Sequence, residues 1–398
     1  MSYLFDIIHG YIKIHDGDNK FINNAWMKRL KRIKQLGVLD NIFPSASHSR
    51  FEHVLGVYHL ADRYIAKLEE NTPTRRKLFT KKQKRCIMLA GLFHDLGHGP
   101  FSHIFDNIIL SGMDNIDPHF KDHENRSRLI TEKIFEGMSA NEFTGYDIDL
   151  IKDIIEPPDT MVYVDGNNIP HYSKKKSYLY EIINNRLTSV DVDKFDYLQR
   201  DSKHIGLDYT FDCERIFNKS HVHNNSIVYD TTIQNNIFDL FYTRYRLHKD
   251  IYNHKKSKLL ELMVGDALKK SNIYNFSEII TSDKFLELDD TIYKQILYSD
   301  TIENSYSRRI LENIEKNVLY ESIYYGKYSE EIVDTYDMDK YDSLLINFNL
   351  CNGDNNPLSN IKFIDRTTDI CEYGCLNNRL IPEKYSEQMI LIYNSYLN

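Results

Sequence analysis

The sequence predicts a mainly α-helical protein with short β-hairpins and a small mixed α/β lobe near the C-terminus. Helices are predicted because apolar residues recur at helical spacing over most of the chain. Helix start signals precede several of these stripes. Strand-like alternation occurs late in the chain, over 343–350 and 361–365, on either side of the turn-rich segment 351–360.

The individual elements follow in chain order. Residues 7–14 predict a short hairpin edge, the Gly166-Asn-Asn turn within 160–171 predicts a second hairpin, and 225–232 predicts a strand. We expect a helical core over residues 1–256, with 257–398 forming a helical extension and the small α/β lobe packed on that core. Helices are predicted over 24–36, 51–70, 81–96, 100–110, 123–137, 148–155, 177–184, 189–203, 234–256, 257–340 and 384–397.

The segment 91–106 is the most informative part of the chain. It contains the dipeptide His94-Asp95, then His98 and His103, then Asp106, around a Gly-Pro helix break. Any one buried histidine is more often satisfied by a backbone group, but several beside two carboxylates indicate a functional site. Histidine with carboxylate suits Mn, Fe or Zn, or Mg with more carboxylate and water. The additional histidines suit a phosphate-ester hydrolase, which must move protons and neutralise phosphate oxygens.

Helix signals predict how these side chains are presented. Thr80 is a candidate N-cap, and the inward stripe of the helix that follows it continues to His94. Gly97 and Gly99 are expected to end that helix, and Pro100 to stand in the first turn of the next. The two histidine-bearing segments would then meet at this break.

A cation held only by His94 and Asp95 would lack ligands, so further ligands are expected elsewhere. A capping box at residues 49–52 opens a helix whose first turn carries His53. A downstream acidic run, normally a solvated face, contains valines and aromatics that indicate a buried helix, and it offers Asp193. The proposed metal set is therefore His53, His94, Asp95 and Asp193.

A basic and aromatic stripe lies on the helix predicted for 234–256. Arg244, His248, Tyr252 and Lys255 are spaced i, i+4, i+8 and i+11, which places them along one face. This composition suits phosphate plus a ring. The alternative, a surface stripe with one packed tyrosine, is weaker because the other motifs imply an anionic substrate.

These motifs, in this order, resemble the HD-domain deoxynucleoside triphosphate triphosphohydrolases, most of all the catalytic core of the sterile-alpha-motif/HD-domain type. The similarity spans from about residue 3 to the end and is loose over 257–340. The resemblance implies that residues 1–256 form an HD-domain catalytic core. It is carried by residues 33–36, 43–48, 50–53, 94–106, 123–124, 191–201, 242–255, 356–357 and 381–388.

The resemblance also implies a role for each matching residue. The proposed metal set would bind one divalent ion (Mn, Fe, Zn or Mg), and Mg would accompany the nucleotide triphosphate. Around the α-phosphate would lie His98, His103 and His123, with Asp106 orienting a histidine. The triphosphate would be bound by Arg50, Lys194 and Arg244. The deoxyribose would be held by Gln35, Leu36, Tyr197, Asp201 and Tyr252, with His248 and Asn253 near the sugar or base.

The implied reaction is hydrolysis of a deoxynucleoside triphosphate at the α-phosphorus, which releases a deoxynucleoside and tripolyphosphate. His103 is the expected proton donor to the sugar oxygen. Leu36 and Tyr252 would favour deoxyribose, because an apolar or bulky wall at C2′ leaves a ribose hydroxyl unpaired. Two alternatives are an HD phosphohydrolase acting on another nucleotide phosphoester, as a nucleotidase or phosphodiesterase, and a non-catalytic nucleotide-binding protein. The latter would be expected to have lost a metal ligand or a catalytic histidine.

Departures from the family pattern concern regulation. In the first helix the chain has Asn23, Lys28 and Lys31 where activated members carry Asp, Gln and Arg. Asp230 and Thr232 stand where two basic residues would help to hold a second nucleotide. We therefore expect guanine-nucleotide activation to be absent or altered. Family members assemble, so the resemblance implies a homo-oligomer, either a dimer or a tetramer.

Composition argues against several other classes. The net charge of −8 does not indicate nucleic-acid binding. No run approaches the roughly 20 apolar residues of a membrane span, and the start lacks the basic and apolar regions of a signal peptide. The 5 cysteines are scattered and odd in number, which suits a reducing compartment. An intracellular location, cytoplasmic or nuclear, is expected.

Overall fold

The computed structural model describes residues 2–73, 77–136, 142–166, 170–365, 368, 370–374 and 382–395. Two segments, Phe105–Leu110 and Leu247–Tyr252, are π-helical. The α-helices are α1 (Asn19–Ile22), α2 (Ala25–Arg29), α3 (Arg50–Asn71), α4 (Lys81–Phe93), α5 (His123–Glu136), α6 (Gly145–Ile155), α7 (Val192–Ile205), α8 (Cys213–Asn218), α9 (Gln234–Arg246), α10 (Lys255–Lys269), α11 (Phe276–Ile279), α12 (Ile292–Leu297), α13 (Ser305–Glu315) and α14 (Glu330–Thr335).

The strands are short and form small sheets, which confirms the mainly α-helical fold class. β1 and β2 form an N-terminal hairpin, β3 and β4 form a second, and the other two sheets have the orders β10-β9-β6-β5 and β7-β11-β8. The strands are β1 (Ser2–Asp6), β2 (Gly10–Ile14), β3 (Val162–Val164), β4 (Pro170–Tyr172), β5 (Ser220–His223), β6 (Ser226–Asp230), β7 (Glu321–Lys327), β8 (Asp342–Asn349), β9 (Lys362–Asp365), β10 (Ile370–Tyr373) and β11 (Ser386–Asn394).

Helices α3, α4 and α7 form the framework of the site. α3 packs against both α4 and α7. The predicted caps are confirmed: a Ser49–Glu52 capping box opens α3, and Thr80 caps α4. His53 lies in the first turn of α3, His94 directly follows α4, and Asp193 lies in the first turn of α7. The packing of these helices therefore brings ligands that are distant in sequence to one place.

The helix break after α4 differs from the prediction. Gly97 and Gly99 do not adopt the left-handed cap conformation; Phe101 and Ser102 do, with φ of 58° and 59°. A Cβ at Gly97 would lie 2.1 Å from the carbonyl oxygen of His123. The prediction of glycine caps, with Pro100 opening the next helix, was wrong because Gly97 serves the close approach of α5.

The helix predicted for 24–36 is shorter than expected. α2 is followed only by a 3₁₀ turn over Leu30–Arg32. Lys34 then pairs with Ser49 in an isolated β-bridge, and the Gln35 N–H donates to the His48 carbonyl at 2.9 Å. Gln35 and Leu36 are therefore presented from a loop and not from a helix.

The C-terminal part contains the clearest error. The final helix predicted for 384–397 is instead β11, the central strand between β7 and β8. Residues 390–393 are all buried, so the strand lacks the alternation that usually reveals one, and an apolar run of this kind is ambiguous between helix and strand. The predicted hairpin of 160–171 is confirmed as β3 and β4, although its turn residues 167–169 lie outside the described residues.

The two predicted parts of the chain share a sheet. β9, from the C-terminal part, pairs in parallel with β6 of the core, and β10 pairs with β9. The division at residue 256 remains a prediction. Among the described residues, no helix has both the length and the apolar character needed to cross a membrane.

Candidate active site

One cavity of about 700 Å³ gathers the predicted site residues. Asp106 is the exception, since it stands behind His123. A more open cavity of about 520 Å³ beside Arg63 and Asp212 contains none of the predicted residues. The main cavity is lined by Gln35, Leu36, Arg50, His53, His94, Asp95, His98, His103, His123, Asp193, Lys194, Tyr197, Asp201, Arg244, His248, Tyr252 and Asn253.

Three of the four proposed metal ligands, His53, His94 and Asp193, have donor atoms that all lie within 4.8 Å of one another at one end of this cavity. Nε2 of His53 lies 3.1 Å from Oδ1 of Asp193 and 3.3 Å from Nε2 of His94. Asp95 lies beside this group and faces the two histidines with different oxygens: Oδ2 is 3.6 Å from His53 Nε2, and Oδ1 is 3.4 Å from His94 Nε2. Two imidazoles and two carboxylates form a donor set that suits a divalent transition metal.

The Nδ1 atoms of His53 and His94, which face away from the cluster, already have hydrogen-bond partners. Nδ1 of His53 hydrogen-bonds Oδ2 of Asp196 at 2.8 Å, and Nδ1 of His94 donates to the Gly91 carbonyl oxygen at 2.8 Å. These contacts fix each tautomer and leave Nε2 directed at the cluster, as in metal-bound histidines. The residues present therefore fit a divalent ion.

Asp196 is itself held by a buried network. It accepts a hydrogen bond from His9 Nε2 at 2.6 Å and from Arg200 Nε at 2.8 Å, and Arg200 also bonds Asp6. Helix α3 can approach this carboxylate only because residue 56 is glycine: a Cβ there would lie 1.8 Å from Asp196 Oδ1. Sequence reasoning gave Asp196 no role, although it lies in the acidic run, three residues after Asp193.

Electrostatics at this end are those of a cation site. Burial opposes protonation of His53, but its hydrogen bonds to Asp193 and Asp196 raise its pKa to about 10. Burial alone would raise the pKa of Asp193, yet His53 and His94 hold that pKa far below its usual value. A positive charge is therefore favoured between these groups, and a bound metal ion would displace the His53 proton.

Arg50 is placed differently from the simple expectation of a phosphate ligand. Its Nη1 lies 2.5 Å from Oδ2 of Asp95, and its Nε donates to Ser102 Oγ at 2.7 Å. The side chain is buried. Arg50 therefore bridges the metal cluster and the left-handed turn at Phe101 and Ser102, whose Phe101 N–H donates to Asp290.

Three histidines stand beside the metal cluster. The rings of His98 and His123 stack with centroids 3.6 Å apart, and His103 meets both edge-on. Nδ1 of His123 hydrogen-bonds Oδ2 of Asp106 at 2.8 Å, and Arg126 binds the other oxygen. The predicted orienting role of Asp106 thus corresponds to a contact with His123.

The three rings differ in charge. Burial and the charge of Arg50 hold the pKa of His98 well below its usual value. Desolvation, Arg50 and His123 together lower the pKa of His103 to about 3, although this ring opens onto the cavity. Burial opposes the charged form of His123, but Glu124 and Asp106 raise its pKa to about 8. At neutral pH, in the free protein, His123 therefore carries the proton of this group.

Two cationic side chains line the cavity farther along. Lys194 Nζ donates to Asp191 Oδ2 at 3.0 Å, and Arg244 Nη1 lies 3.4 Å from the Asn349 carbonyl oxygen in β8. Burial opposes their charges, but nearby groups, led by Asp191 for Lys194 and Tyr197 for Arg244, raise both pKa values. Both side chains are therefore charged and suited to an anion.

The opposite end combines aromatic and polar groups. Tyr252 donates its hydroxyl to Asp201 Oδ2 at 2.5 Å, and His48 Nε2 hydrogen-bonds Asp201 Oδ1 at 2.8 Å. The His248 ring meets the Tyr252 ring edge-on. The side-chain amide of Asn253 is turned away, since it donates to the His248 carbonyl.

Several lining residues were not expected from the sequence. Ser257, Lys258, Glu261 and Leu262 come from α10, and 344–347 come from β8. None of the motifs identified in the sequence includes them, and those from α10 lie in the segment 257–340, where the resemblance is loose. The only sequence clue is the i, i+3 spacing of Lys258 and Glu261, which is common on ordinary helix surfaces.

Comparisons with known proteins agree with this geometry. The HD domain family model matches residues 50–158. The chain is 35% identical to the deoxynucleoside triphosphate triphosphohydrolase SAMHD1 homolog of Dictyostelium discoideum, over 78% of this chain and 57% of the relative. It is 37% identical to the putative HD domain-containing protein L394 of Acanthamoeba polyphaga mimivirus, over 73% and 63%. It is 31% identical to deoxynucleoside triphosphate triphosphohydrolase SAMHD1 of Danio rerio, over 99% and 71%. The chain thus spans less than two thirds of the length of the first two relatives.

Proposed function

The chain belongs to the SAMHD1 family of deoxynucleoside triphosphate triphosphohydrolases, and we propose that it hydrolyses deoxynucleoside triphosphates to deoxynucleoside and tripolyphosphate. One observation carries the proposal: a single cavity contains the His-Asp cluster, three adjacent histidines, the cationic side chains of Lys194 and Arg244, and an aromatic wall. These are the groups that a cation, a phosphate chain and a nucleoside each require. The size of the cavity, about 700 Å³, is in the range of small-molecule sites.

His53, His94, Asp95 and Asp193 would hold one divalent ion, and their ligand chemistry suits Mn, Fe, Zn or Mg. When bound, such an ion supplies polarisation of a phosphate oxygen and positions a water. The chain's part is to fix the ligands from behind, through Asp196 and the Gly91 carbonyl. Arg50 adds a positive charge next to Asp95.

The three histidines would surround the α-phosphate. In the reaction the water oxygen bonds to the α-phosphorus and gives up one proton, the bond from phosphorus to the 5′ oxygen breaks, and that oxygen takes up one proton, so the proton count balances. His103 is the proposed donor. Its pKa is about 3 in the free protein because of desolvation, Arg50 and His123, and the negative triphosphate would oppose these effects and raise that pKa. His123, which is already protonated below pH 8, would neutralise phosphate oxygens.

Lys194 and Arg244 would bind the phosphate chain, together with Mg that arrives with the nucleotide. Tyr252, Asp201, Tyr197, Gln35 and Leu36 would enclose the deoxyribose, with His248 and Asn253 next to it. Leu36 and the Tyr252 ring offer no hydrogen-bond partner to a 2′ hydroxyl, which would favour deoxyribose over ribose.

The proposal includes altered regulation. Asn23, Lys28 and Lys31 are exposed, and Asp230 uses its carboxylate to accept hydrogen bonds from Thr232. A carboxylate at this position repels phosphate, so guanine-nucleotide activation is expected to be absent or changed. Assembly into a dimer or tetramer and an intracellular location, cytoplasmic or nuclear, belong to the same proposal.

The test is a product analysis. Purified protein is incubated with each deoxynucleoside triphosphate and Mn or Mg, with and without GTP, and the products are followed by phosphorus NMR. Tripolyphosphate is expected; orthophosphate or pyrophosphate would instead favour an HD phosphohydrolase acting at another phosphoester bond. Activation from zero by micromolar GTP would contradict the regulatory part.

His94→Ala and Asp193→Ala should lose bound metal and activity together, because each removes a ligand. The control is His119→Ala, which removes an exposed histidine outside the cavity and should change neither. Full turnover by a metal-free His94→Ala protein would reject the ligand assignment.

A further inference from the structure

The N-terminal part of α10 presents a charged pair to the main cavity. Lys258, Glu261 and Leu262 lie at i, i+3 and i+4, which places them on one face of the helix, and all three line the cavity. Lys258 Nζ lies 2.6 Å from Glu261 Oε2. Their side chains are largely buried, with 17% and 19% exposed. A charged pair that is this deeply buried in a cavity differs from an ordinary surface ion pair, because it can contact a molecule bound in the cavity.

The part of the cavity formed by Asp201, His248 and Tyr252 is its proposed nucleoside end, and the pair lies next to it, because α10 begins at Lys255, directly after the segment Leu247–Tyr252, and packs against that segment. Burial, then Arg244 and His103, and then the charge of Lys258 lower the pKa of His248. The adjoining wall is apolar: Leu262 comes from the same helix, and Ile108 packs on α10, where a Cβ at Gly265 would lie 2.4 Å from it. Because Glu261 neutralises Lys258, the pair suits a neutral polar ring better than a phosphate.

The residue expected near the base is otherwise engaged. The side-chain Nδ2 of Asn253 donates to the His248 carbonyl at 2.9 Å, and the main-chain carbonyl of Asn253 accepts from the Tyr325 hydroxyl at 2.6 Å. Lys258 and Glu261 provide a charged donor and a charged acceptor beside this end of the cavity, where the carboxylate of Asp201 is already bonded to Tyr252 and His48.

We propose that Lys258 and Glu261 read the base of the nucleotide and give the site a preference for guanine. Guanine presents an acceptor, O6, next to two donors, N1–H and the 2-amino group. The ammonium of Lys258 can donate to O6 while the carboxylate of Glu261 accepts from both donors. Adenine and cytosine each offer one amino donor beside an acceptor, and thymine places oxygens on both sides of its single N–H. With each of these bases, either the Lys258 ammonium or part of the Glu261 carboxylate is left without a hydrogen-bond partner.

The inference rests on the proposed function for its substrate class, and its test separates the two. Binding of dGTP and of dITP, which lacks only the 2-amino group, is measured calorimetrically in EDTA. The two nucleotides, dGTP and dITP, are then compared as substrates by their kcat/KM for tripolyphosphate formation. The wild-type protein should favour dGTP over dITP by about tenfold in both measurements, the low end for a hydrogen bond to a charged group.

Glu261→Gln should reduce the dGTP-to-dITP ratio to within about twofold, because an amide can accept at only one atom and places a donor against the other. Lys258→Met should weaken the binding of dGTP and of dITP equally, since both bases keep O6. The matched control is Glu70→Gln, which breaks an exposed i, i+3 pair with Lys67 on α3 and should leave the ratio unchanged.

A wild-type protein that binds dGTP and dITP equally, or a Glu261→Gln protein that keeps the tenfold ratio, would overturn the inference. If no deoxynucleoside triphosphate yields tripolyphosphate, the proposed function fails while the binding ratio still decides base reading.

Discussion

The proposed metal end of the cavity and its proposed nucleoside end differ in how firmly their side chains are held. At the metal end His53 and His94 each have a second partner behind the ring, and Asp196 is fixed by both His9 and Arg200. At the nucleoside end Tyr252 is held through its hydroxyl by Asp201. Gln35 Oε1 is buried there with no hydrogen-bond partner in the part of the chain that the structure describes.

This difference follows from what each end would bind. A cation site needs ligands in fixed positions before the ion arrives, because misdirected lone pairs bind weakly. A nucleoside must enter and leave, so its contacts form with the ligand and are incomplete without it. Substitutions at the metal end should therefore have larger effects than those at the nucleoside end.

Among residues that would not bind the ion themselves, the largest effect is expected from Asp196→Asn. The Asp196 carboxylate accepts hydrogen bonds from His53, His9 and Arg200, and an asparagine would place an N–H₂ group against one of these donors. His53 would lose its fixed orientation. Metal affinity should fall by roughly 10–100-fold, as for other residues that support metal ligands. The measurement is metal affinity by competition with a chelator.

The control for this variant is Asp62→Asn. Asp62 forms a similar His–Asp contact, with His15 Nε2 at 3.0 Å, but both side chains are partly exposed and lie away from the cluster. Its metal affinity should equal that of the wild type. If Asp196→Asn bound metal as tightly as this control, the metal end would not depend on its supporting network.

The metal end could be predicted largely from the sequence. His53, His94 and Asp193 lie next to helix ends. Capping boxes and apolar stripes in the sequence predict the helices that carry His53 and His94. What the sequence could not predict is the long-range contact that holds them, such as His9 with Asp196, which are 187 residues apart. No local pattern encodes such a pair.

The nucleoside end was predicted less well because its residues come from irregular backbone and from unrecognised helices. The π-helical segment 247–252 shifts side chains from the spacing that a regular α-helix would give. Gln35 lies on a loop that was expected to be helical. The contribution of 344–347 depends on how β8 is placed by β11, and β11 was expected to be a helix.

The pH dependence of kcat/KM tests the role of His123, which lies between the two ends of the cavity. Glu124 and Asp106 overcome burial and raise the pKa of His123 to about 8, so this imidazole is charged below that pH and neutral above it. Because the charged form would neutralise phosphate, kcat/KM should fall as the pH rises through about 8. Asp106→Asn removes one of the raising groups, so the decline should move to lower pH.

The control for the pH experiment is Asp114→Asn, which removes an exposed carboxylate from the loop before His123 and should leave the profile where it was. The experiment compares full pH profiles of kcat/KM for the three proteins. A decline at the same pH in the wild type and in Asp106→Asn would exclude His123 as the titrating group.

The smallest effect is expected from Tyr252→Phe, at the less constrained end. The substitution removes the hydroxyl that donates to Asp201 but keeps the ring, while Asp201 retains its hydrogen bond to His48. Loss of one such hydrogen bond is worth about 1 kcal/mol, so KM should rise roughly fivefold. The preference for deoxynucleotides over ribonucleotides should persist, because it would depend on the bulk of the ring and not on the hydroxyl.

Tyr293→Phe provides the matched control, since Tyr293 also donates to a carboxylate, Glu315 Oε1 at 2.8 Å, but stands outside the cavity. Its KM should not change. Steady-state kinetics with dNTP and rNTP pairs decide between two readings of the tyrosine. A loss of sugar discrimination in Tyr252→Phe would mean that the hydroxyl, by fixing Asp201, excludes ribose, and the nucleoside end would then be as strictly ordered as the metal end.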